Sequence, residues 1–220
     1  FPYIGYFQLI NSVDRFIFYD DVNFIKNGWI NRNRLIIGGL VSYITVPLRN
    51  ASSFSKINEI HFIDDRKRIL RSIEQNYRKA PYFDNIWPLL VSCIDYNTDL
   101  ISELAIQSIL TVCTYLNLNR YFELSSQRYS MTQNLTGSKR IIEICKINSA
   151  TDYNNPFGGE KLYNRAEFEQ NNIKLHFVKR KEINYKQFSN EFVSDLSIID
   201  VLMFNSKETV VRYLSEFEII

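Results

Sequence analysis

The chain has 220 residues, of which 45% are hydrophobic, so one domain with a full core is the expected size class. A formal net charge of +2 excludes a broad nucleic-acid surface but leaves room for one small anionic ligand. No apolar run is long enough for a membrane span and no signal sequence is present; the three cysteines, Cys93, Cys113 and Cys145, are odd in number and widely spaced, so no metal motif or disulfide framework follows and a reduced, cytoplasmic compartment is expected.

In chain order, Phe1-Pro2-Tyr3-Ile4-Gly5-Tyr6 brackets a turn that enters a short helix over residues 7–13. The free backbone N–H groups at that entrance, beside Gly5 and Tyr6, are a candidate anion site; the alternative is a turn that merely packs. Residues 15–22, RFIFYDDV, read as a central strand buried on both faces and closed by Asp20 and Asp21. Ile36-Ile37-Gly38-Gly39 gives a strand and a tight turn, with 41–48 as the hairpin partner, and 57–63 reads as a further strand. Asp64 and Asp65 open a helix with Ile69, Ile73 and Tyr77 on one face. Residues 99–116 form the clearest helix, with a stripe through Ile101, Leu104, Ala105, Ser108, Val112 and Tyr115. A strand over 120–124, a helix over 138–147, a short strand over 151–153, a loop over 154–159, a short helix near 165–170 and a strand over 173–178 follow. Ser206 caps a last helix whose apolar face runs from Val210 to Phe217. This alternation predicts an α/β fold. The expected form is one domain over 1–220, with a mainly parallel, Rossmann-like sheet, flanking helices and a helical or hairpin insertion at about 64–118. Ligands in such sheets sit beyond the carboxyl ends of the strands.

Several residue groups fall at such ends. If Asn31-Arg32-Asn33-Arg34 is extended, Arg32 and Arg34 share a face at a spacing of about 7 Å. Two guanidiniums at that spacing can clamp a pyrophosphate, or a phosphate and a carboxylate. Asn31 and Asn33 then lie on the other face, and Lys26 and Trp29 add charge and a ring. The plain alternative is a solvated strand end. Asp20 and Asp21 can bind a metal, orient a sugar hydroxyl or act as a base; with no histidine near in sequence, a dedicated metal site is not indicated, and a cap or a pair with Lys26 is the alternative. Ser125 and Ser126 follow a strand, and Arg140 lies on the next helix, a set suited to phosphate or hydroxyl recognition or to ordinary capping. Gly158 and Gly159 allow close backbone approach to a ligand, and Tyr163 can close over it. If residues 195–205 are helical, Ser197 and Asp200 share a side. A carboxylate in so apolar a run needs a partner when buried: Arg32, Arg34 or a ligand hydroxyl. His61 and His176 lie within predicted strands and read as packed residues, Cys113 and Cys145 as core. No P-loop, dinucleotide fingerprint or zinc spacing occurs, so no cofactor is expected.

The opening turn resembles that of nucleotidyltransferases whose first strand ends in a turn with two histidines, but neither histidine is present and Tyr6 stands where the second would be. Over nearly the whole chain, in preserved order, FPYIGYFQLI, DRFIFYDDVNFIKNGWINRNRL, YITVPL, INEI, YRKAPYF, RIIEICKI, ATDYNNPFGGEKLY and EFVSDLSIIDVLMFN resemble the WbqC-like protein family. That resemblance implies a strand ending in Gln-Pro upstream of Phe1. The chain departs from the pattern at Asn23, which stands for a more usual glutamine. It lacks the tryptophan and histidine often found around Asp65-Arg66-Lys67, and it carries Asn and Phe in NNPFGG where many members have a serine-glycine pair. The resemblance further implies a cytoplasmic role in amino-sugar biosynthesis for a surface polysaccharide, O-antigen or capsule. The reaction chosen is transfer of an acyl or aminoacyl group from a carrier protein, coenzyme A or charged tRNA to a nucleotide-linked amino sugar. In that reading Asp20 or Asp200 is the base, the arginines hold phosphate, and N–H groups near Gly158 and Gly159 steady the oxyanion. The alternatives are a non-catalytic module that binds a sugar intermediate or partner enzyme, and a transferase restricted to an aminoacyl-tRNA donor.

Overall fold

A computed structural model describes residues 1–188 and 191–220. Helix α1 (Ile4–Asn11) leads into strand β1 (Arg15–Phe18), followed by the hairpin β2 (Arg32–Ile37) and β3 (Leu40–Thr45). Three helices come next, α2 (Arg66–Tyr77), α3 (Phe83–Ile94) and α4 (Ile101–Tyr115). Strand β4 (Tyr121–Leu124) turns directly into α5 (Ser125–Arg128) and, after a loop, α6 (Gly137–Ile147). The remainder is β5 (Asp152–Pro156), α7 (Arg165–Glu169), β6 (Lys174–Arg180), α8 (Ile198–Phe204), α9 (Lys207–Tyr213) and β7 (Phe217–Ile219).

The protein is mixed α/β, but in place of one mainly parallel sheet the described residues form three small ones. β1 pairs in parallel with β4, β2 pairs antiparallel with β3, and β5, β6 and β7 form a mixed sheet in that order. The hairpin has the expected turn: Gly38 and Gly39 both adopt positive φ, 60° and 80°, as a two-residue turn with the twist of its strands requires.

Four expected elements differ. The strand over 15–22 stops at Phe18, because its partner β4 turns into α5 at Ser125, directly after the Phe18–Leu124 pair. It is half-exposed rather than buried on both faces. Residues 57–63 form no strand, since their backbone is divided among several neighbours. Ile57–Glu59 is a 3-10 turn whose Ile57 and Asn58 N–H groups bond Val22 and Asp20, while Phe62 bonds Asp99 and Ile63 bonds Pro47. The loop over 154–159 is in fact the end of β5 and the start of a 3-10 helix, Phe157–Leu162. The last helix ends at Tyr213, and Phe217 instead opens β7 against Arg180 of β6.

The main core joins α1 to the three-helix segment and α8. Phe7 and Ile10 of α1, Ile73 and Tyr77 of α2, Leu90 of α3 and Ile198 of α8 are all essentially solvent-free. α2 buries Ile69, Ile73 and Tyr77 at i, i+4 and i+8, the stripe its sequence spacing requires. A second cluster packs Ile142 and Cys145 of α6 against Phe168 of α7 and Leu175 and Phe177 of β6. Gln8, fully buried in α1, donates to the carbonyls of Tyr213 and Glu216 at 2.8 and 3.0 Å. It thus adds a second hydrogen bond to two carbonyls that already accept backbone N–H groups, from Glu216 and Lys181, and fixes the turn into β7.

Candidate functional site

A cleft of about 720 Å³ opens where the α1 entrance, the end of β1, the hairpin and α4 meet. One wall is aromatic: Phe1, Tyr3 and Tyr6 from the α1 entrance, Phe18 and Tyr19 from β1 and the residue after it, and Trp29 from the loop before β2. The opposite wall is α4, whose small residues Ser102, Ala105 and Ser108 face the cleft and leave it space. Ser108 turns its hydroxyl to its own helix, donating to the Ala105 carbonyl at 2.7 Å. Asp20, Asn33, Arg34, Arg180 and Asp195 supply the charged and amide groups of the lining. Asp20 and Arg180 lie at the carboxyl ends of β1 and β6, where ligand-binding groups gather in α/β proteins.

The two arginines of the Asn–Arg alternation part company. Arg34 lines the cleft, donates from Nη2 to the Asp195 carbonyl at 3.0 Å, and has its guanidinium 6.0 Å from the Trp29 ring centre. Its Nε is buried and has no hydrogen-bond partner among the described residues. Arg32 is committed elsewhere: it donates to the carbonyls of Asn27 and Gly28 and lies over Tyr43 at 4.6 Å. The expected Arg32–Arg34 clamp therefore does not form at the cleft, because the loop at 27–28 offers Arg32 carbonyl acceptors on the spot. The second guanidinium of the cleft is that of Arg180, whose Nη2 stands 2.7 Å from Asp195 Oδ1. Neither Arg180 nor Asp195 was among the residues picked from sequence; the one available signal was the basic run Lys179-Arg180-Lys181 closing a strand.

The asparagines and Ser197 hold the entrance turn. Asn33 donates to the Phe1 carbonyl at 2.8 Å, and its Oδ1 accepts from the Arg34 N–H at 2.8 Å. Ser197, buried, also donates to the Phe1 carbonyl at 2.9 Å and caps α8 through the Ile199 N–H. Asn31 bonds the Val46 carbonyl across the hairpin. Gly5 permits Tyr3 to fold over the helix start, since a Cβ there would lie 2.4 Å from the Tyr3 ring. Lys26 is exposed. Burial pushes the Tyr6 hydroxyl far above its ordinary pKa, so it stays neutral and protonated.

Asp20 and Asp21 leave β1 into a polar knot. Asp20 accepts from the Ser125 hydroxyl at 3.1 Å, the Ser126 N–H at 3.0 Å and the Ser126 hydroxyl at 2.6 Å. Asp21 accepts from Ser125 at 2.5 Å, Gln133 at 3.1 Å and Arg140 at 2.6 Å. Arg140 also donates to the Thr132 hydroxyl at 3.0 Å and stacks over Tyr19 at 4.8 Å. Burial alone would raise the Asp21 pKa, but the Arg140 and Ser125 hydrogen bonds win and hold it below the usual carboxylate range. Ser125, Ser126 and Arg140, the expected ligand contacts, direct these hydrogen bonds to the protein itself. They turn inward to hold the two carboxylates, and of the knot only Asp20 reaches the cleft lining.

Asp200 lies outside the cleft. It is fully buried, with Oδ2 accepting from Tyr77 at 2.7 Å and Oδ1 from Tyr185 at 2.6 Å and Gln187 at 2.9 Å. Its partners are thus neutral donors, not Arg32, Arg34 or a ligand, and a base role for it is at odds with this enclosure. Gly158, Gly159 and Tyr163 are also away from the cleft. Gly158 faces open space, Gly159 abuts the Asn155 amide, and Tyr163 packs edge-on against Tyr153 and Phe168, so the oxyanion role given to that loop has no place in the cleft wall. All three cysteines are free and buried; burial pushes Cys113 up to about 12 and Cys145 to about 11, which leaves them inert as nucleophiles at neutral pH. His61 and His176 pair with Asp99 and Asp152 at 2.9 and 2.8 Å. Among the described residues no group of three or more His, Cys, Asp or Glu side chains is placed to hold a metal ion, and no helix is long and apolar enough to cross a membrane.

Fold and cleft together define a mixed α/β protein with an arginine-bearing, ring-lined cleft. The chain belongs to the WbqC-like protein family, whose model matches residues 1–212. It is 31% identical over 219 residues to the uncharacterized protein Rv1507c of Mycobacterium tuberculosis (strain ATCC 25618 / H37Rv), an alignment covering 97% of this chain and 93% of that protein. No solved structure matches it.

Proposed function

We propose that the chain is a cytoplasmic enzyme of surface-polysaccharide amino-sugar biosynthesis that transfers an acyl or aminoacyl group to a nucleotide-linked amino sugar. The observation that carries this reading is the cleft itself: aromatic faces for sugar and base, the Arg34 guanidinium for phosphate, and the Asp20 carboxylate in the same lining. In the proposed step the sugar amine attacks the donor carbonyl. A C–N bond forms, the C–S or C–O bond to the carrier breaks, and the proton lost by the amine passes through Asp20 to the leaving group. The same reading takes 1–220 as one domain with a helical insertion at 64–118. It also takes the parallel pairs β1–β4 and β5–β6 as the kinship to a Rossmann-like, nucleotidyltransferase-type scaffold.

Calorimetry with nucleotide-linked amino sugars tests binding. Arg34→Ala is expected to weaken it about tenfold to a hundredfold, the worth of a charge-assisted hydrogen bond; a wild-type protein that binds no such sugar overturns the reading. Asp20→Asn is expected to leave binding intact and to slow turnover about a hundredfold, the lower end of a general base's contribution. A non-catalytic binding module is the second reading, favoured by the three hydrogen bonds Asp20 already accepts; under it no turnover is found with any donor. Dependence on a charged-tRNA donor would show as loss of activity on ribonuclease treatment.

A further inference from the structure

The cleft holds an ion pair that its fold does not need. Arg34 from β2 and Arg180 from the end of β6 converge on one residue, Asp195: Arg34 donates to its carbonyl at 3.0 Å and Arg180 to its carboxylate at 2.7 Å. All three line the same cavity. The Arg180 and Asp195 side chains keep 32% and 36% of their surface, so the pair is solvated and worth little as a stabilising contact. Among the described residues, Asp195 Oδ2 has only the Ser194 hydroxyl, at 3.2 Å, as a further partner. The backbone at Asp195 is left-handed, φ 59°, a conformation uncommon for a non-glycine residue and a frequent mark of a functional position. Beside it the Arg34 Nε stays buried with no acceptor among the described residues, an omission that normally costs free energy and calls for an explanation. Two guanidiniums held on one residue, with a displaceable carboxylate on that of Arg180, have the form of an anion site with an internal stand-in.

We infer that Arg34 and Arg180 form the diphosphate subsite of the cleft, and that the Asp195 carboxylate occupies it in the free protein and is displaced by the ligand's phosphates. The inference rests on the ligand class proposed above and adds where its diphosphate binds and what it must expel. A diphosphate brings more charge and more acceptor oxygens than one carboxylate, and can fill the bidentate fork of the Arg180 guanidinium while the positive charge of Arg34 adds attraction beside it. An uncharged sugar cannot make the exchange, so Asp195 discriminates in favour of the nucleotide-linked form.

The test is calorimetry on the full chain with inorganic pyrophosphate and UDP as probes. Asp195→Asn keeps the side-chain shape, and asparagine tolerates the left-handed backbone; removing the competing charge is expected to tighten both probes about tenfold. Asp195→Gly, which adopts positive φ without strain, should show the same gain and guards against a folding defect particular to one variant. Arg180→Gln should weaken both probes and cancel the gain in the Asp195→Asn background. Unchanged or weaker probe binding in both Asp195 variants, or a gain that persists without Arg180, overturns the inference. The two proposals separate cleanly. If pyrophosphate tightens as expected while no nucleotide-linked amino sugar is turned over, the subsite stands and the transferase reading falls. If such sugars are turned over while pyrophosphate binding ignores Asp195 and Arg180, the transferase stands and the subsite falls.

Discussion

Replacing Arg140 by alanine is expected to lower the unfolding free energy by about 3–5 kcal/mol, the usual cost of leaving a buried charge without its partner. The Arg140 and Asp21 side chains retain only 4% and 1% of their surface, so water cannot take over the lost contact. The substitution also removes the donor to Thr132 and the cation stacked on Tyr19. Urea unfolding followed by circular dichroism measures the loss; a value below about 1 kcal/mol, as for an exposed pair, would mean that Asp21 finds other partners. The double replacement of Arg140 by methionine and Asp21 by leucine removes both charges together and is expected to recover most of the stability. The acid limb of the profile carries a further signature. The Asp21 pKa is depressed in the folded protein, so its contribution is full above the unfolded value of about 3.9 and disappears as pH falls through the folded value. Arg140→Ala removes the main cause of that depression, and the variant should lose less stability than the wild type as pH falls below about 4. Because Ser125 bonds Asp20 as well as Asp21, the damage reaches the Asp20 carboxylate, and turnover should fall with stability.

That polar knot also shows where the sequence stops being legible. Ser125, Ser126 and Arg140 are polar residues after a strand and on a helix, and nothing local says whether they face solvent, ligand or core. Their partners Asp20 and Asp21 lie more than 100 residues earlier, and only the parallel pairing of β1 with β4 brings the groups together. The arginines fail in the same way. The segment does meet the condition of being extended, since β2 starts at Arg32, yet which guanidinium is captured by carbonyls depends on the loop at 27–28, where Asn27 takes a left-handed φ of 60°. Asp195 reaches the cleft through a non-glycine left-handed turn that no periodicity encodes. Signals with a local cause were readable: the Gly38-Gly39 hairpin turn, the Ile69–Ile73–Tyr77 stripe of α2 and the apolar face of α4. The 57–63 segment, expected as a strand, is not one because its hydrogen bonds go to several different neighbours, which no local signal reveals.

Asp200→Ala is expected to cost about 3 kcal/mol or more, because it strands several buried donors at about 1–3 kcal/mol each. The hydroxyls of Tyr77 and Tyr185 and the Gln187 amide all end on this carboxylate. Tyr77 in turn accepts from the Ile36 N–H of the hairpin, and Gln187 exchanges hydrogen bonds with Val193, so the loss should loosen both the hairpin and the approach to Asp195. Asp200→Asn separates charge from shape. Burial raises the Asp200 pKa, and the hydrogen bonds from Tyr185, Tyr77 and Gln187 offset this only in part. A carboxyl with a raised folded pKa gives its full contribution below the unfolded value of about 3.9 and loses it as pH rises through the folded value, the opposite sign to Asp21. The asparagine cannot ionise, so its stability relative to wild type should climb as pH rises from about 4 through the folded value. A flat or falling difference across that window would show that the ionised carboxylate is not penalised there. Turnover gives the decisive contrast with the role first expected of this residue. A structural carboxylate predicts that Asp200→Asn changes activity only as far as it changes folded protein, whereas a large fall in turnover with stability and ligand affinity intact would make Asp200 the base and displace Asp20 from that part.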